Sequence, residues 1–231
     1  MSELRQELDE IAFSGGAKLT GVADLDAVSD RVPNVMERIG DVPVNRAFVI
    51  AMPLHRGVFK TIADRPNPLY MHHYRQVNYK LDRVAYELAT AIEERGYLGV
   101  AIGASHNVKR KPMVGHISHR LLAAWAGIGW RGRSNLIVTS RYGSQVRLVS
   151  MLTDAPLEPD EPQLYCKCGE CRACVEACPA NAIGETFEEF DLEACYKRLC
   201  ENQHISFVSH HICGVCQKVC GGERAIRKAD R

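Results

Sequence analysis

Apolar residues recur with the period of an α-helix in one long segment of the chain. They stand at steps of four, three, four and four residues, at Val77, Leu81, Val84, Leu88 and Ile92. This spacing places the side chains on one face of a helix, and Gly96 stands where a C-terminal cap belongs. A shorter acidic amphipathic helix is predicted between residues 1 and 18, where charged and apolar positions also alternate with helical spacing.

Short apolar runs elsewhere predict strands. These runs are residues 46–54, 98–104, 135–140 and 145–152. The last two flank Arg141-Tyr142-Gly143-Ser144 and together predict a β-hairpin. A further helix is predicted from about residue 117 to 126, and it ends in a glycine-rich turn at 126–133. Residues 153–162 contain three prolines and four acidic residues, which mark a domain boundary. The fold class is therefore mixed, α+β.

Composition places the chain among globular proteins. Its 231 residues can form one ordinary domain and a small module, and 46% of them are hydrophobic. With 29 basic and 28 acidic side chains, bulk charge gives no argument for binding nucleic acid or an anionic membrane. No run approaches the 18 or so apolar residues of a membrane span, and the N-terminal segment does not resemble a leader peptide. The cytoplasm is the expected location.

Ten cysteines lie within the last 66 residues, and their spacing predicts metal clusters. The first run is Cys168-x2-Cys171-x2-Cys174-x3-Cys178 followed by Pro179, which is the spacing of bacterial two-cluster ferredoxins. A second run, Cys213-x2-Cys216-x3-Cys220, lacks only the first cysteine of such a pattern, and Cys195 can supply it. The sequence thus predicts two 4Fe-4S clusters.

In ferredoxins the fourth cysteine of each run binds the other cluster. The ligands of cluster one are then Cys168, Cys171, Cys174 and Cys220. Those of cluster two are Cys178, Cys195, Cys213 and Cys216. Zinc is a poorer interpretation, because a zinc site closes with four ligands and gives no reason for the C-x2-C-x2-C-x3-C-P run. Disulfides are also a poorer interpretation, because they need an oxidising compartment. Cys166 and Cys200 are left over, and a ligand exchange between Cys166 and Cys168 stays open.

The cysteine runs follow other features in a particular order. The glycine-rich turn 126–133, the dipeptide Tyr142-Gly143 and the segment 152–157 precede them, and this set resembles the core shared by epoxyqueuosine reductases and reductive dehalogenases. Segments 70–78 and 115–120 resemble a short, epoxyqueuosine reductase-like branch of that superfamily. The resemblance implies a nitroreductase-like α/β sandwich domain over residues 1–160, which binds cobalamin in its base-off form. It also implies a bacterial-ferredoxin-like module with two 4Fe-4S clusters over residues 161–231.

The resemblance indicates where a corrinoid would bind. The candidate residues are Gly127, Gly129, Trp130, Gly132, Arg133, Tyr142, Gly143, His72 and His73. Glycines allow the backbone to approach a large ligand closely. The same glycines are equally expected in a tight connection between a helix and a strand, with no ligand present.

The chain departs from the family at the proton donor. The resemblance implies an aspartate as the proton donor of epoxyqueuosine reductases, in the segment where this chain has Pro112-Met113-Val114-Gly115-His116. Histidines could replace it, and His116 and His119 are predicted to lie one helical turn apart. Tyr74 is a further candidate, by similarity to the reductive dehalogenases. The alternative for each histidine is an ordinary surface or capping residue. Gly221 and Gly222 also replace the proline that usually follows the last cysteine.

The hypothesis is an oxidoreductase in which a low-potential donor, such as ferredoxin or flavodoxin, passes electrons through both clusters to a corrinoid that reduces a small molecule. Because the aspartate is missing, tRNA is not expected as a partner. A membrane is not expected either, since no apolar run is long enough to span one. A homodimer is compatible with a nitroreductase-like fold. Two alternatives stay open: an electron-transfer or corrinoid-reducing partner without a substrate of its own, and a flavin-dependent reductase on the same fold.

Overall fold

The computed structural model describes residues 2–32, 35–110 and 113–223, which form eight helices and eight strands. The helices are α1 (Glu3–Ser14), α2 (Leu25–Arg31), α3 (Arg56–Phe59), α4 (Pro68–Glu94), α5 (His119–Trp125), α6 (Ala173–Ala177), α7 (Leu192–Gln203) and α8 (Val215–Val219). The strands are β1 (Leu19–Asp24), β2 (Arg46–Pro53), β3 (Gly99–Ile102), β4 (Asn107–Arg110), β5 (Met113–Gly115), β6 (Trp130–Arg131), β7 (Ile137–Val138) and β8 (Val146–Thr153). The fold is a mixture of helix and strand, as the sequence predicts.

Four strands form the main sheet in the order β1-β2-β8-β3. The outer pairs are antiparallel: Leu19 of β1 lies opposite Ala51 of β2, and Gly99 of β3 lies opposite Thr153 of β8. Residues 47–52 of β2 are all buried, so both faces of this strand are covered. Helices α1, α2 and α5 contact β1. Two further pairs, β4 with β5 and β6 with β7, form separate two-stranded sheets.

The long helix α4 carries the predicted apolar stripe, and all five residues of the stripe are buried. Gly96 follows the helix with a left-handed φ of +82°. The helix begins earlier than the stripe, because the Asn67 side chain accepts the N–H of Tyr70 at 2.8 Å and caps the first turn. Pro68 suits the first helical position, where its missing N–H would have no partner.

The predicted hairpin around residues 141–144 is wrong. Strand β7 pairs with β6, and β8 belongs to the main sheet, so in the described part of the chain the two runs do not pair with each other; an isolated bridge joins Thr139 to Gly143 of the turn. Thr139 causes this arrangement, because its Oγ1 accepts the N–H of Tyr142 and closes a tight turn. Gly143 continues the turn with a left-handed φ of +59°.

The chain divides into two compact units, each assembled from three segments. Unit 1 comprises Met1–Met52, Val77–Ile128 and Arg147–Leu164, and unit 2 comprises Pro53–Gln76, Gly129–Val146 and Tyr165–Arg231. The last change of unit falls just after the proline-rich segment 153–162, where the sequence predicts a boundary. The division into domains 1–160 and 161–231 stays a prediction, since 53–76 and 129–146 group with the cysteine region.

The proline-rich segment is anchored within unit 1. The carboxylate of Asp160 accepts the N–H of Val22 at 2.8 Å and forms an ion pair with Arg5 at 3.0 Å. Asp154 accepts the N–H of Leu98 at 2.7 Å. In the parts of the chain that the structure describes, no helix is both long enough and apolar enough to cross a membrane.

Candidate functional site

Two short helices of unit 2 present cysteines in the same way. Helix α6 carries Cys174 and ends at Cys178, while α8 carries Cys216 and ends at Cys220, and the two helices pack against each other. A spacing of four residues places both sulfurs of a pair on one side of the helix. Gly214 precedes α8 with a left-handed φ of +85°, which a residue with a side chain rarely adopts.

Four of the cysteines line one cavity in unit 2, and they are Cys168, Cys171, Cys174 and Cys220. They are the set that the cross-over pattern predicts for cluster one. Arg133, Ser134 and Val138, from the segment between β6 and β7, line the same cavity. Residues from separate parts of the sequence thus line the same cavity.

Electrostatics agrees with this grouping. Burial, and to a smaller extent the neighbouring Cys220, Cys168 and Cys171, raise the pKa of the Cys174 thiol to about 11. Each thiolate disfavours ionisation of the next, because like charges repel strongly in a poorly solvated cavity. The iron ions of a cluster would offset that repulsion and favour the four thiolates together.

The other four predicted ligands also influence one another. Burial raises the pKa of Cys195 to about 11, with smaller contributions from Cys178 and Cys213. Burial likewise raises the pKa of Cys216 well above its usual value, and Cys213, Cys174, Cys195 and Cys178 add to this effect. The second set therefore lies close together, and Cys216 also neighbours Cys174 of the first set.

The spacing of these side chains bears on zinc. Among the residues that the structure describes, no three His, Cys, Asp or Glu side chains are arranged to hold one metal ion. A zinc site needs four ligands on a single ion. A 4Fe-4S cluster does not, because each cysteine binds a different iron atom of the cluster.

Backbone groups donate hydrogen bonds to one sulfur of each set. The N–H of Ser144 donates to Sγ of Cys220 at 3.3 Å. The N–H of Ala182 donates to Sγ of Cys178 at 3.4 Å. Hydrogen bonds to cluster sulfurs are one of the means by which a protein sets a cluster's reduction potential.

Arg133 fixes the loop that contains the first cysteines. Its guanidinium donates to the carbonyl oxygens of Cys171 at 2.9 Å and Gly169 at 2.8 Å. Glu185 lies 3.8 Å from its Nε and also forms an ion pair with Arg172. Arg133 is predicted to contact a corrinoid, but in the structure its described bonds serve the cysteine loop.

The predicted corrinoid-binding glycines pack against the chain itself. A Cβ at Gly127 would lie 2.7 Å from the carbonyl oxygen of Glu161, and a Cβ at Gly129 would lie 2.3 Å from that of Val138. A Cβ at Gly132 would lie 2.5 Å from the Val138 side chain. These close approaches explain the glycines without a ligand. Trp130 is fully buried, and the ammonium of Lys167 lies 5.9 Å from the centre of its ring.

Gly143 packs against the last cysteine. A Cβ there would lie 2.1 Å from the carbonyl oxygen of Cys220. Gly222 makes the reciprocal contact, since its Cβ would lie 2.5 Å from the carbonyl oxygen of Thr139. This contact gives a physical reason for glycine near the position where the family has proline. Tyr142 is half-buried beside the guanidinium of Arg141.

His119 lies in unit 1, with both ring nitrogens engaged. Nδ1 lies 2.9 Å from Oγ of Ser150, and Nε2 lies 3.2 Å from the carbonyl oxygen of Gly103. Burial lowers the pKa of His119 to about 4, and the positive charge of Arg147 adds to this effect. The imidazole is therefore neutral at neutral pH, with Nε2 as the donor to Gly103. This arrangement favours a positioning role over proton donation.

His116 lies near enough to His119 to contribute to the lowering of its pKa. His116 precedes α5, so its predicted placement one turn before His119 in a helix is wrong; Ser118 caps that helix. His116 stacks on His106 with ring centroids 5.4 Å apart. Pro112, in the segment where the family has its aspartate, lies outside the described residues.

In unit 2, His73 accepts the N–H of His55 on Nε2 at 2.9 Å, and burial lowers its pKa. His72 is exposed on the same helix. Tyr74 lies 6.3 Å from Tyr70, measured between ring centroids. The structure therefore brings neither His72 nor His73 to the cysteine cavity.

The two remaining cysteines have different surroundings. Cys166 is an exposed residue. Partial burial of its sulfur is the main cause that raises its pKa, and the neighbouring Cys168 also contributes. Cys200 forms a hydrogen bond with the hydroxyl of Tyr196, and this bond raises the pKa of the tyrosine. Tyr196 in turn stacks on His211 at 5.8 Å. Cys200 thus has its own partner.

Sequence reasoning missed the residues that support the last cysteine. Tyr70 is fully buried, and its hydroxyl bonds to Oε1 of Gln217 at 3.0 Å. Nε2 of Gln217 donates to the carbonyl oxygen of Ser144 at 2.8 Å. The only available signal was the turn Arg141-Tyr142-Gly143-Ser144, whose connection to Cys220 depends on the fold.

Comparisons with known proteins identify relatives. No protein-family model matches the chain. It is 30% identical over 201 residues to the epoxyqueuosine reductase of Aliivibrio fischeri, a match that covers 80% of this chain and 50% of the relative. It is 46% identical over 79 residues to the epoxyqueuosine reductase of Listeria monocytogenes, covering 33% of this chain and 21% of the relative. The chain thus spans half the length, or less, of these curated relatives.

Solved structures share the fold. An epoxyqueuosine reductase crystallised with an epoxyqueuosine-modified tRNA stem loop matches with a TM-score of 0.60 and 23% identity, covering 96% of this chain and 66% of the other. A reductive dehalogenase, whose structure suggests a mechanism for B12-dependent dehalogenation, matches with a TM-score of 0.70 and 16% identity, covering 96% and 33%. The curated relatives, together with the cysteine pattern, show that the chain belongs to the superfamily of epoxyqueuosine reductases and reductive dehalogenases.

Proposed function

We propose that this protein is a reductase that binds two 4Fe-4S clusters and uses them to receive electrons from a low-potential donor. One observation carries the proposal: Cys168, Cys171, Cys174 and Cys220 surround a single cavity. The mutual effects on the pKa values of Cys178, Cys195, Cys213 and Cys216 support a second cluster nearby. Adjacent clusters favour rapid passage of single electrons.

The residues around the first cavity suit a negatively charged cluster. The Arg133 guanidinium lines the cavity and brings a positive charge. The N–H of Ser144 donates to Cys220, and the N–H of Ala182 donates to Cys178. These groups would stabilise thiolates once iron is bound, and they would limit access of water to the sulfurs.

We also propose the finer description of the fold. In it, residues 1–160 form a nitroreductase-like α/β sandwich, and residues 161–231 form a ferredoxin-like module. The similarity to superfamily members over 96% of the chain supports the first part. The paired C-x3-C helices α6 and α8 support the second.

Cobalamin is the organic cofactor that we propose, on the strength of the relatives. A bound corrinoid would supply a redox-active cobalt for reduction of a small molecule. The residues proposed to contact it are Gly127, Gly129, Trp130, Gly132, Arg133, Tyr142, Gly143, His72 and His73. The glycines among them already meet the protein's own backbone or side chains, so they do not outline a cofactor cradle. A flavin is the alternative.

Proton supply is a separate part of the proposal, and its candidates are His119, His116 and Tyr74. The ring nitrogens of His119 are both engaged, which favours a positioning role for this residue. His116 and Tyr74 stay candidates for proton donation to the substrate. Each would be tested by the effect of His116→Gln or Tyr74→Phe on turnover once a substrate is known.

For partners, we propose ferredoxin or flavodoxin as the electron donor and a small molecule as the substrate. The expectation that tRNA is not a partner needs revision, because a structural neighbour was solved with a tRNA stem loop. A modified tRNA is therefore kept as a candidate substrate. A homodimer also stays a proposal.

A second function is an electron-transfer or corrinoid-reducing protein without its own substrate. The observation that favours it is a contrast between the cysteine cavity and the glycine-rich turn. The cysteine cavity is formed by protein groups suited to a cluster, whereas the glycine-rich turn is closed by contacts within the chain. Stoichiometric reduction of a separate corrinoid protein, without turnover of small molecules, would support this function.

The cluster proposal is tested by iron and sulfide analysis after anaerobic purification, with electron paramagnetic resonance of the reduced protein. About eight irons per chain are expected for two clusters. Cys220→Ser and Cys195→Ser should each lose about half of the iron. Cys200→Ser is the matched control and should keep it all, because Cys200 bonds to Tyr196. A wild-type protein that folds but binds zinc instead of iron would overturn the proposal.

The cofactor proposal needs a separate test. The iron-loaded protein would be incubated with cobalamin, separated from free cofactor and analysed for cobalt and by visible spectroscopy. Stoichiometric cobalt supports the corrinoid, and a flavin spectrum in the purified protein supports the alternative. Binding of neither, with both clusters present, would leave the electron-transfer function as the better description.

A further inference from the structure

Ser144 has a buried hydroxyl without a partner, next to the last cysteine. The residue is 1% exposed. Among the residues that the structure describes, none forms a hydrogen bond with its Oγ, while its N–H donates to Sγ of Cys220 at 3.3 Å. A buried hydroxyl that lacks a partner costs about 1–3 kcal/mol. Such a group therefore indicates a bonding partner that the protein atoms do not provide.

The position of Ser144 is fixed from two sides. Gln217, in α8, donates from Nε2 to the Ser144 carbonyl oxygen at 2.8 Å, and Tyr70 bonds to the other end of the same amide at 3.0 Å. Gly143, just before Ser144, lies directly against the Cys220 carbonyl oxygen. These contacts hold the turn, and with it the N–H of Ser144, against Cys220.

We propose that Ser144 tunes the reduction potential of cluster one by donating its hydroxyl hydrogen to an inorganic sulfide of the cluster, while its N–H donates to Sγ of Cys220. This inference rests on the proposed presence of the cluster. The reaction that it affects is the transfer of one electron from the reduced donor to the cluster. No bond is formed or broken, and no proton is transferred. Because the reduced cluster carries one more negative charge, hydrogen bonds to its sulfurs stabilise that state and raise the potential.

The matching cysteine of the other helix has no such hydroxyl beside it. At Cys178 the donor is the N–H of Ala182, at 3.4 Å, and alanine has no side-chain donor. The two ends of the paired helices are otherwise alike, since Cys178 and Cys220 each cap a five-residue helix. Ser144 therefore distinguishes the surroundings of Cys220 from those of Cys178.

The test is a potentiometric titration of the iron-loaded protein, followed by electron paramagnetic resonance. Ser144→Ala should lower the ratio of reduced to oxidised cluster one about tenfold at a fixed potential, which corresponds to about 59 mV for one electron. Ser144→Thr keeps the hydroxyl and should titrate near the wild type. Ser140→Ala removes an exposed hydroxyl from the same turn and is the matched control.

Several outcomes would overturn the inference. If Ser144→Ala binds all of its iron and both clusters titrate as in the wild type, the hydroxyl does not tune either cluster. If Ser144→Ala fails to assemble, Ser144→Gly takes its place, because it also lacks the hydroxyl and keeps the N–H; an unchanged potential of cluster one in that variant overturns the inference. A wild type without iron would instead refute the proposed function, and this inference with it.

Discussion

Replacing Gly143 with alanine should weaken the protein at the last cysteine. The φ angle of Gly143 is +59°, and a residue with a side chain loses about 1–2 kcal/mol in this left-handed region. The new Cβ would lie 2.1 Å from the Cys220 carbonyl oxygen and 2.6 Å from the Gly222 nitrogen. Relief of such an overlap costs a further 1–3 kcal/mol or so.

The combined loss of roughly 2–5 kcal/mol is large beside the total stability of a domain, which is about 5–15 kcal/mol. Both clashing atoms are backbone atoms, so no side-chain rotation can relieve the overlap. The segment from Cys220 to Gly222 must move instead, and this movement displaces a predicted ligand of cluster one. Gly143→Ala should therefore bind about half of the wild-type iron.

The assays are anaerobic denaturant unfolding and iron analysis. Gly96→Ala is the matched control, because Gly96 also has a positive φ, of +82°, but a Cβ there meets no atom within 4 Å. It should lose only the backbone contribution, about 1–2 kcal/mol, and keep all of its iron. Equal losses of stability and full iron in both variants would refute the reasoning, since the contact with Cys220 would then have no consequence.

Three further outcomes are expected. The pKa of His119 is lowered from 6.5 to about 4 in the folded protein, so its stabilising effect is full above about pH 6.5 and is lost as pH falls through 4. The wild type should lose up to about 3 kcal/mol over that range, and a pH profile of unfolding for His119→Gln as steep as the wild type would contradict this. Arg133→Met removes two bonds to carbonyl oxygens and should speed the loss of cluster one to an iron chelator, whereas Arg172→Met, which removes only a partner of Glu185, should not. Tyr70→Phe should cost about 1 kcal/mol in unfolding free energy, and no loss would show that the bond to Gln217 is dispensable.

Local patterns in the sequence were sufficient for the helix α4 and for the cysteine groups. The stripe from Val77 to Ile92 needs only the helical period, and all its members are buried. The cysteine spacing reflects two short helices, where Cys174 and Cys178, and then Cys216 and Cys220, lie one turn apart. In both cases neighbours in the sequence are neighbours in space.

Predictions failed where distant residues decide the structure. The hairpin at 141–144 was expected because two β-rich runs flank a turn, but β8 is taken by the main sheet and Thr139 closes the turn on its own. His116 was expected in the helix of His119, yet the Ser118 cap starts that helix after it. The partners of Ser144 lie more than 70 positions away. No local pattern reports such contacts.

Cluster one depends on residues far upstream of the cysteine runs, all within unit 2. A Cβ at Gly132 would lie 3.4 Å from Sγ of Cys168, and Arg133 holds the carbonyl oxygens of the following loop. Further along the same segment, the N–H of Ser144 donates to Sγ of Cys220. Segment 129–146 therefore forms one wall of the cavity, and the ferredoxin-like cysteine pattern does not by itself contain everything that its first cluster needs. This dependence is the physical reason why segment 129–146 groups with the cysteines, and it ties the first cluster to the fold of the chain that precedes it.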